Sequence, residues 1–341
     1  YCRGGIRYRE GSYMILDQSD DKSTLTSQSE TRSVAIIGSG LIGSSWAIVF
    51  SRAGWTVRLF DSDKNALDKA EPLIAEQLDL LIRSGLDSAS RRPKEIIYTS
   101  SIEDALNDAD YVQECGPEIL ELKKKLFDHF QGVVKGSCIL ASSTSGIVAS
   151  KFSENLRCRE RVVVVHPTNP PHLIPLVEVA PSPWTSEETV NGAYQIMLEV
   201  GQSPIIVKKE IQGFILNRLQ GALINEALRL AEGDYASPDD IDCAVRDGLG
   251  LRWSFMGPFE TIDLNAPGGL ADYAERYGNM YRDMSVSQSL EMTWDKNLID
   301  RIHHDRRSIL DQSRIEERQA WRDQQLAALI AHKNNKEKKT N

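Results

Sequence analysis

The sequence predicts an α/β fold, a doubly wound and mostly parallel sheet, followed by an all-α C-terminal domain. Three observations carry this expectation. Short apolar, β-branched runs alternate with segments of helical period from residue 34 to about residue 210. That is the signature of strand–helix–strand units whose strands are buried on both faces. A glycine-rich turn, Gly38-Ser39-Gly40-Leu41-Ile42-Gly43, separates the first apolar run from the first helical segment. After Glu210 the β-rich runs almost cease and amphipathic segments take over.

The elements follow in order. Residues 34–37 form a continuous apolar run ended by Gly38, which reads as a buried strand. Residues 41–53 carry apolar positions at helical spacing and stop at Gly54, and 56–60 read as the second strand. A helix is expected over 68–84, strands over 96–99 and 111–113, and a helix over 119–134. Strands follow at 138–141, 162–165 and 176–179, then a helix at 187–200 and a strand at 205–207. Residues 214–230 are a long amphipathic helix. Ser237 and Pro238 then suit an N-cap and first turn, and helices and loops continue to about residue 330. The chain thus divides into a sheet domain over 34–210, a helical domain over 211–330 and a solvated basic tail over 331–341. Residues 1–33 lack any sustained apolar period and cannot offset their ordering entropy, so they read as a disordered appendage without a signal-peptide core.

Composition narrows the function. Lys and Arg total 40 against 49 Asp and Glu, a net charge of −9, which argues against a nucleic-acid binder needing a basic face. No apolar run reaches the length of about 18 residues that a membrane span needs. The cysteines, Cys2, Cys115, Cys138, Cys158 and Cys243, are odd in number and lack paired spacing. A disulfide scaffold or a cysteine metal site is not expected, and a reducing, cytoplasmic compartment is.

The glycine-rich turn is G-x-G-x-x-G between a strand and a helix, the context of a Rossmann-type dinucleotide site. Gly38 permits the tight turn, Gly40 lets a pyrophosphate approach the backbone, and Gly43 lets the helix pack on the strand. Asp61 closes the second strand, 18 residues beyond Gly43. A carboxylate there accepts from a ribose 2′-hydroxyl and repels a 2′-phosphate, which favours NAD over NADP.

Polar residues cluster where the strands end. Ser142-Ser143-Thr144-Ser145 follows one strand, and His166-Pro167-Thr168-Asn169 follows the next. Glu178 interrupts an apolar run and needs a partner, and His166 is the obvious one. A His–Glu pair suits removal of a proton from a secondary alcohol. The residues alone leave other roles open: a core histidine, a structural ion pair, and a helix cap at Ser145.

Six stretches extend this reading: VAIIGSGLIGSSWA (34–47), VQECGPEILELKKKLF (112–127), ILASSTSGI (139–147), HPTNPPHLIPLVEV (166–179), GFILNRLQ (213–220) and GLGLRWSFMGPFET (248–261). Their order and spacing resemble the 3-hydroxyacyl-CoA dehydrogenase family, and within it the lambda-crystallin branch, over about residues 34–330. The resemblance implies NAD-dependent oxidation of the 3-hydroxyl of a hydroxy acid, L-gulonate first. Carnitine, a 3-hydroxyacyl-CoA, or a non-catalytic, crystallin-like or NAD-sensing role are the alternatives.

By that resemblance His166 is the general base and Glu178 its orienting partner, while Ser145 and Asn217 hydrogen-bond the reacting oxygen. Leu41, Ile42 and Asp61 contact the dinucleotide, and Glu118 and Lys123 lie beside the nicotinamide ribose. A homodimer is implied as well. On spacing alone Asn217 reads as a helix-surface residue, and Glu118 and Lys123 as a solvated helix start. Arg252 stands among glycines and Trp253, and this resembles the lambda-crystallin branch and bacterial carnitine dehydrogenases rather than the acyl-CoA enzymes. A guanidinium matches a carboxylate bidentately, so Arg252 is expected to bind the free carboxylate of the substrate, with an ion pair or stacking on Trp253 as its structural alternatives. Gly116 and Thr168 replace larger apolar residues of the family, which leaves substrate choice less defined than reaction type.

Overall fold

The computed structural model of the chain describes residues 32–87 and 93–340. The appendage expected over residues 1–33 falls, up to residue 31, outside the described residues. Its last residue is a correction. Ser33 belongs to the first strand, β1 (Ser33–Ile37), where its N–H donates to Asp110 Oδ2 at 2.8 Å and its hydroxyl accepts from Arg58 at 2.6 Å.

The remaining strands are β2 (Thr56–Phe60), β3 (Ile96–Thr99), β4 (Tyr111–Glu114), β5 (Ile139–Ser142), β6 (Val162–Pro167), β7 (Leu176–Pro181) and β8 (Ser203–Ile206). Among the described residues they form one sheet in the order β3-β2-β1-β4-β5-β6-β7-β8. Its pairs are parallel except β6–β7, which is antiparallel. The chain reverses its winding direction between β1 and β4, and in open sheets ligands bind at that switch point, beyond the carboxyl ends of the strands.

Helices cover both faces: α1 (Leu41–Arg52), α2 (Lys64–Arg83), α3 (Ile102–Leu106), α4 (Leu120–Val133), α5 (Ser150–Ser153) and α6 (Glu187–Glu199). The period-2 geometry of strands sorts the cores. Val34 and Ile36 enter one cluster with Trp46, Phe50 and Met197, while Ala35 and Ile37 enter the other with Phe127, Phe130 and Phe152. On β6, Val163 and Val165 face the first cluster and Val162 and Val164 the second. The same alternation carries His166 onto the second face.

Beyond the sheet come α7 (Leu216–Glu232), α8 (Pro238–Cys243), α9 (Gly250–Trp253), α10 (Pro258–Asp263), α11 (Gly269–Gln288), α12 (Lys296–Ile309) and α13 (Ile315–Thr340). Ser237 caps α8 as expected, accepting from Asp240 N. A π-helical stretch, Ala244–Leu249, joins α8 to α9. Several boundaries differ from expectation by a few residues, α2 starting at Lys64 and β8 at Ser203 among them, and two differences matter here. Helix α7 starts at Leu216 rather than residue 214, because Gly213 and Phe214 both take positive φ, 78° and 49°. The basic tail is drawn into α13, whose helical backbone reaches Thr340. Ala327 of α13 is fully buried in the first cluster, with Leu326 and Ile330 packed beside it. Among the described residues no helix is long and apolar enough to cross a membrane.

His172 ties α1 to α2, with Nδ1 3.1 Å from the Ser45 hydroxyl and Nε2 3.1 Å from Gln77 Oε1. Burial, helped by the charges of Arg52 and Arg322, lowers its pKa to about 4. The fold therefore holds it neutral, and its contribution is fully present above the unfolded value near 6.5. That contribution, up to about 3 kcal/mol, is lost as pH falls toward 4. His172→Gln should accordingly flatten the urea-unfolding stability between pH 7 and 4.5, whereas the wild-type protein weakens measurably across that interval.

Candidate active site

The phosphate turn is built by exclusion. Gly38 has φ 111°, and a Cβ there would lie 2.7 Å from the Cys115 carbonyl oxygen. A Cβ on Gly43 would fall 1.8 Å from the Gly38 oxygen, so the turn and the first turn of α1 close only with glycine at both positions. Gly40 differs: a Cβ there meets nothing within 4 Å. It is the N-cap of α1 and makes no side-chain cap bond, which leaves the first amides of the helix facing open space. Such amides, with the helix dipole behind them, suit a pyrophosphate. Leu41 is 67% exposed at the same edge, and Ile42 is partly buried.

Asp61, at the end of β2, is already oriented. Its Oδ2 accepts from the Ser39 N–H at 2.9 Å and the Ser39 hydroxyl at 3.0 Å, and its Oδ1 accepts from Asp63 N at 3.0 Å. A carboxylate pinned to the turn in this way stands where a ribose diol would meet it. The open glycine cradle, the uncapped helix amides and the fixed acid together fit NAD.

Below the turn lies a buried polar layer. Ser143 Oγ accepts from Trp46 Nε1 and Gln113 Nε2, at 3.1 and 2.7 Å, and sits 3.3 Å from Cys115 Sγ. Burial pushes the Cys115 thiol up to about 12, so it stays protonated and inert as a nucleophile.

Beside this layer, Lys123 is 1% exposed, contrary to the solvated helix start that its spacing alone suggests. Its ammonium donates to both oxygens of buried Glu114, at 3.0 and 2.8 Å, and lies 3.7 Å from Glu118. Glu114 also accepts from the Gly116 N–H and the Ser142 hydroxyl. Glu118 reaches over the loop after β5 and accepts from the Thr144 hydroxyl, from Gly146 N at 2.9 Å and from Ile147 N at 3.3 Å. Burial would raise the Glu118 carboxyl, but these donors and Lys123 outweigh it and hold it below its ordinary value.

The third group joins two chain segments. His166 and Glu178 face each other across the antiparallel β6–β7 ladder. His166 Nδ1–H donates to Glu178 Oε2 at 2.8 Å, because an ionised carboxylate can only accept. The imidazole is thereby held in the tautomer that leaves the Nε2 lone pair free, and Nε2 has no partner among the described residues. Glu178 Oε1 accepts from Ile215 N at 2.8 Å and Leu216 N at 3.0 Å, at the start of α7. Burial pushes the Glu178 carboxyl up, yet His166 and the two amides pull harder and its pKa is lowered.

One residue into α7, Asn217 Nδ2 donates to the Ser145 carbonyl at 3.1 Å. Ser145 is exposed, and its hydroxyl makes no bond among the described residues. His166, Glu178, Asn217 and Ser145 are thus linked through α7 and the β5 loop. Arg252 is not brought to them. It lies on α9, exposed, close enough to act on the Tyr273 hydroxyl, and no contact joins it to the His166 cluster. Sequence reasoning gave no role to Glu114 or Phe214, and named Thr144 only within the polar cluster after β5. A buried acid ending an apolar strand was a usable signal for Glu114; nothing comparable marked Phe214.

Family models match residues 33–211 as the 3-hydroxyacyl-CoA dehydrogenase NAD binding domain and residues 213–309 as the C-terminal domain of the same enzymes. The chain belongs to the 3-hydroxyacyl-CoA dehydrogenase family. It is an NAD-dependent hydroxy acid dehydrogenase. A lambda-crystallin homolog of Mus musculus is 39% identical over 302 residues, covering 87% of this chain and 94% of the relative. An L-carnitine dehydrogenase of Pseudomonas sp is 36% identical, covering 88% and 93%. The solved structure of 5-formyl-3-hydroxy-2-methylpyridine 4-carboxylic acid 5-dehydrogenase, an NAD+ dependent dismutase, superposes with a TM-score of 0.79 at 27% identity, covering 89% of this chain and 99% of that one.

The geometry at Asp61 makes a direct prediction. If Asp61 accepts from the ribose, Asp61→Ser removes that acceptor and the negative charge, so KM for NAD should rise by about 10- to 100-fold, the worth of one or two hydrogen bonds to a charged group. The preference for NAD over NADP should shrink in the same steady-state assay, and an unchanged ratio would remove Asp61 from cofactor selection.

Proposed function

We propose that the protein oxidises the 3-hydroxyl of a free hydroxy acid, L-gulonate first, to the corresponding 3-keto acid. The carrying observation is the His166–Glu178 pair, with Nε2 free and Asn217 and Ser145 tied beside it. NAD, held by the Gly38–Gly43 turn and Asp61 and flanked by Glu118, supplies the hydride acceptor. Lys123 serves it through Glu118.

His166 Nε2 takes the hydroxyl proton. Glu178 offsets the imidazolium charge that forms, and because its own carboxyl is held low it remains ionised while doing so. The Ser145 hydroxyl and the Asn217 amide donate to the substrate oxygen as its carbonyl develops, where fixed donors contribute most. Arg252, exposed and unpaired among the described residues, is carried over from the family resemblance as the cation for the substrate carboxylate, although no contact joins it to the His166 cluster. The π-helical stretch that precedes it supports a functional role, since such stretches recur at functional sites.

The likeness to L-carnitine dehydrogenases supports a second reading. Trp253 and Phe255 follow Arg252 in the chain with exposed rings of the type that suits a quaternary ammonium. The division at residue 210, between a cofactor-binding sheet domain and a helical substrate domain, belongs to the same proposal. So does a reducing, cytoplasmic setting, supported by free thiols at Cys115, Cys138, Cys158 and Cys243.

A panel of L-gulonate, 3-hydroxybutyrate, carnitine and 3-hydroxybutyryl-CoA with NAD tests the substrate. L-gulonate should give the highest kcat/KM. His166→Gln should lower kcat by about 10²–10⁴-fold, the usual contribution of a general base. Arg252→Ala should cost about 10- to 100-fold on the free acids, the worth of a charged hydrogen-bonded pair, and leave the thioester untouched. Equal losses on both classes would sink the Arg252 assignment.

The helical segments also support a homodimer. Leu219 of α7, Phe255 of the α9–α10 connection, Phe259 of α10, Leu264 just after it, and Met280 and Val286 of α11 are all exposed. Exposed apolar side chains in this number suit burial against a second copy, which must cover about 800 Å² per partner for stable association. Light scattering should give twice the chain mass at micromolar concentration, and Phe259→Asp should shift it toward one chain.

A further inference from the structure

Phe214 is a bulky residue in the left-handed region, with φ 49°, directly after Gly213 at φ 78°. Side chains of its size rarely adopt that conformation, and they keep it only where the surroundings impose it. Two surroundings do so here. The ring is fully buried in the second core cluster and lies 5.3 Å from the His166 ring at a tilt of 40°. The two amides that follow, Ile215 N and Leu216 N, both donate to Glu178 Oε1. A single backbone reversal therefore sets the wall behind the imidazole and the donors that hold its carboxylate.

We propose that Phe214 is a positioning residue for the oxidation. Its ring fixes the plane of His166 so that Nε2 is aimed at the substrate hydroxyl, and it keeps water from the His166–Glu178 bond. The His166 side chain is 6% exposed and that of Glu178 1%, so the Phe214 ring is part of what seals the pair. Glu178 alone cannot do this work. One hydrogen bond to Nδ1 still permits the ring to swing about it, and an aromatic face packed against the imidazole removes that freedom. This inference rests on His166 being the base.

The test uses the full-length protein with NAD and whichever of the four panel substrates it oxidises fastest. Phe214→Leu keeps most of the volume and loses the ring. It should lower kcat about 10- to 100-fold, the penalty of a reacting group held loosely, with KM for NAD and substrate within about twofold. Phe214→Tyr keeps the ring and should recover kcat to within about threefold of wild type. In the His166→Gln background, Phe214→Leu should add no further loss, because two residues acting through one group are not additive. Nitrogen-15 NMR of the histidines gives a second readout: a single Nδ1-protonated tautomer at His166 in the wild type and a mixture in Phe214→Leu.

Wild-type kcat in Phe214→Leu overturns the proposal. So does an equal fractional loss in both backgrounds, which would mark a general packing defect. If Phe214→Leu fails to fold, the tyrosine variant decides, since loss of kcat with the ring retained is also contrary to the proposal. A His166→Gln variant turning over at the wild-type rate instead sinks the base assignment itself, independently of Phe214.

Discussion

The site depends on how one carboxylate divides its two oxygens. Glu178 gives Oε2 to the His166 imidazole and Oε1 to the first amides of α7. A buried carboxylate without partners would sooner take up a proton than remain charged. Here three donors surround it, and the carboxyl is held low despite its burial. The consequence reaches beyond the histidine. The same anion caps a 17-residue helix whose second residue, Asn217, reaches the Ser145 loop. The His166 tautomer, the entry of α7 and the placement of Asn217 are therefore set by one charge, and losing it would disturb all three together.

A second buried acid shows the same principle put to a different use. Glu114 accepts from Lys123, Gly116 and Ser142 and is fully enclosed. Replacing either partner of such a pair would strand the other charge, a loss of about 3–5 kcal/mol, whereas the intact pair roughly breaks even. Its value is geometric. Lys123 is drawn inward, Glu118 is drawn toward Lys123, and Glu118 then gathers the Thr144 hydroxyl and two loop amides. The loop that presents Ser145 is thus anchored from one side by Glu118 and from the other by Asn217. The family resemblance implies a place for Lys123 beside the cofactor; in the structure its ammonium is enclosed, paired with Glu114 and 3.7 Å from Glu118.

These arrangements differ in how far a sequence can disclose them. The strands were legible because burial on both faces leaves continuous apolar runs, and β2 and β3 fall where composition places them. The glycine turn was legible because sterics leave no alternative at Gly38 and Gly43. His166 and Glu178 were legible as a pair only by the logic that a buried acid needs a partner. Their facing register is set by the antiparallel β6–β7 ladder, a non-local pairing in an otherwise parallel pattern. Lys123 was misjudged on spacing because a lysine in a charged helix start ordinarily faces water, and only Glu114, nine residues earlier, reverses that. Phe214 was absorbed into the helix it precedes, since hydrophobic period carries no information about the sign of φ.

The helical segments pose the converse problem. Their sequence has the apolar spacing of packed helices, yet Leu228, Ala231, Ala266 and Leu298 are among the few apolar side chains of α7–α12 and their connections that are buried. Helices earn most of their stability from packing an amphipathic face rather than from propensity. A set of helices with so little interior of its own requires a surface to pack on. Helix α13 meets that need by returning to α1 and α2, where Ala327 is fully buried. Phe255, Phe259 and Met280 find no such cover among the described residues. Helix α7, which delivers Asn217 to the Ser145 loop, packs on α8 and is held at its first turn by Glu178.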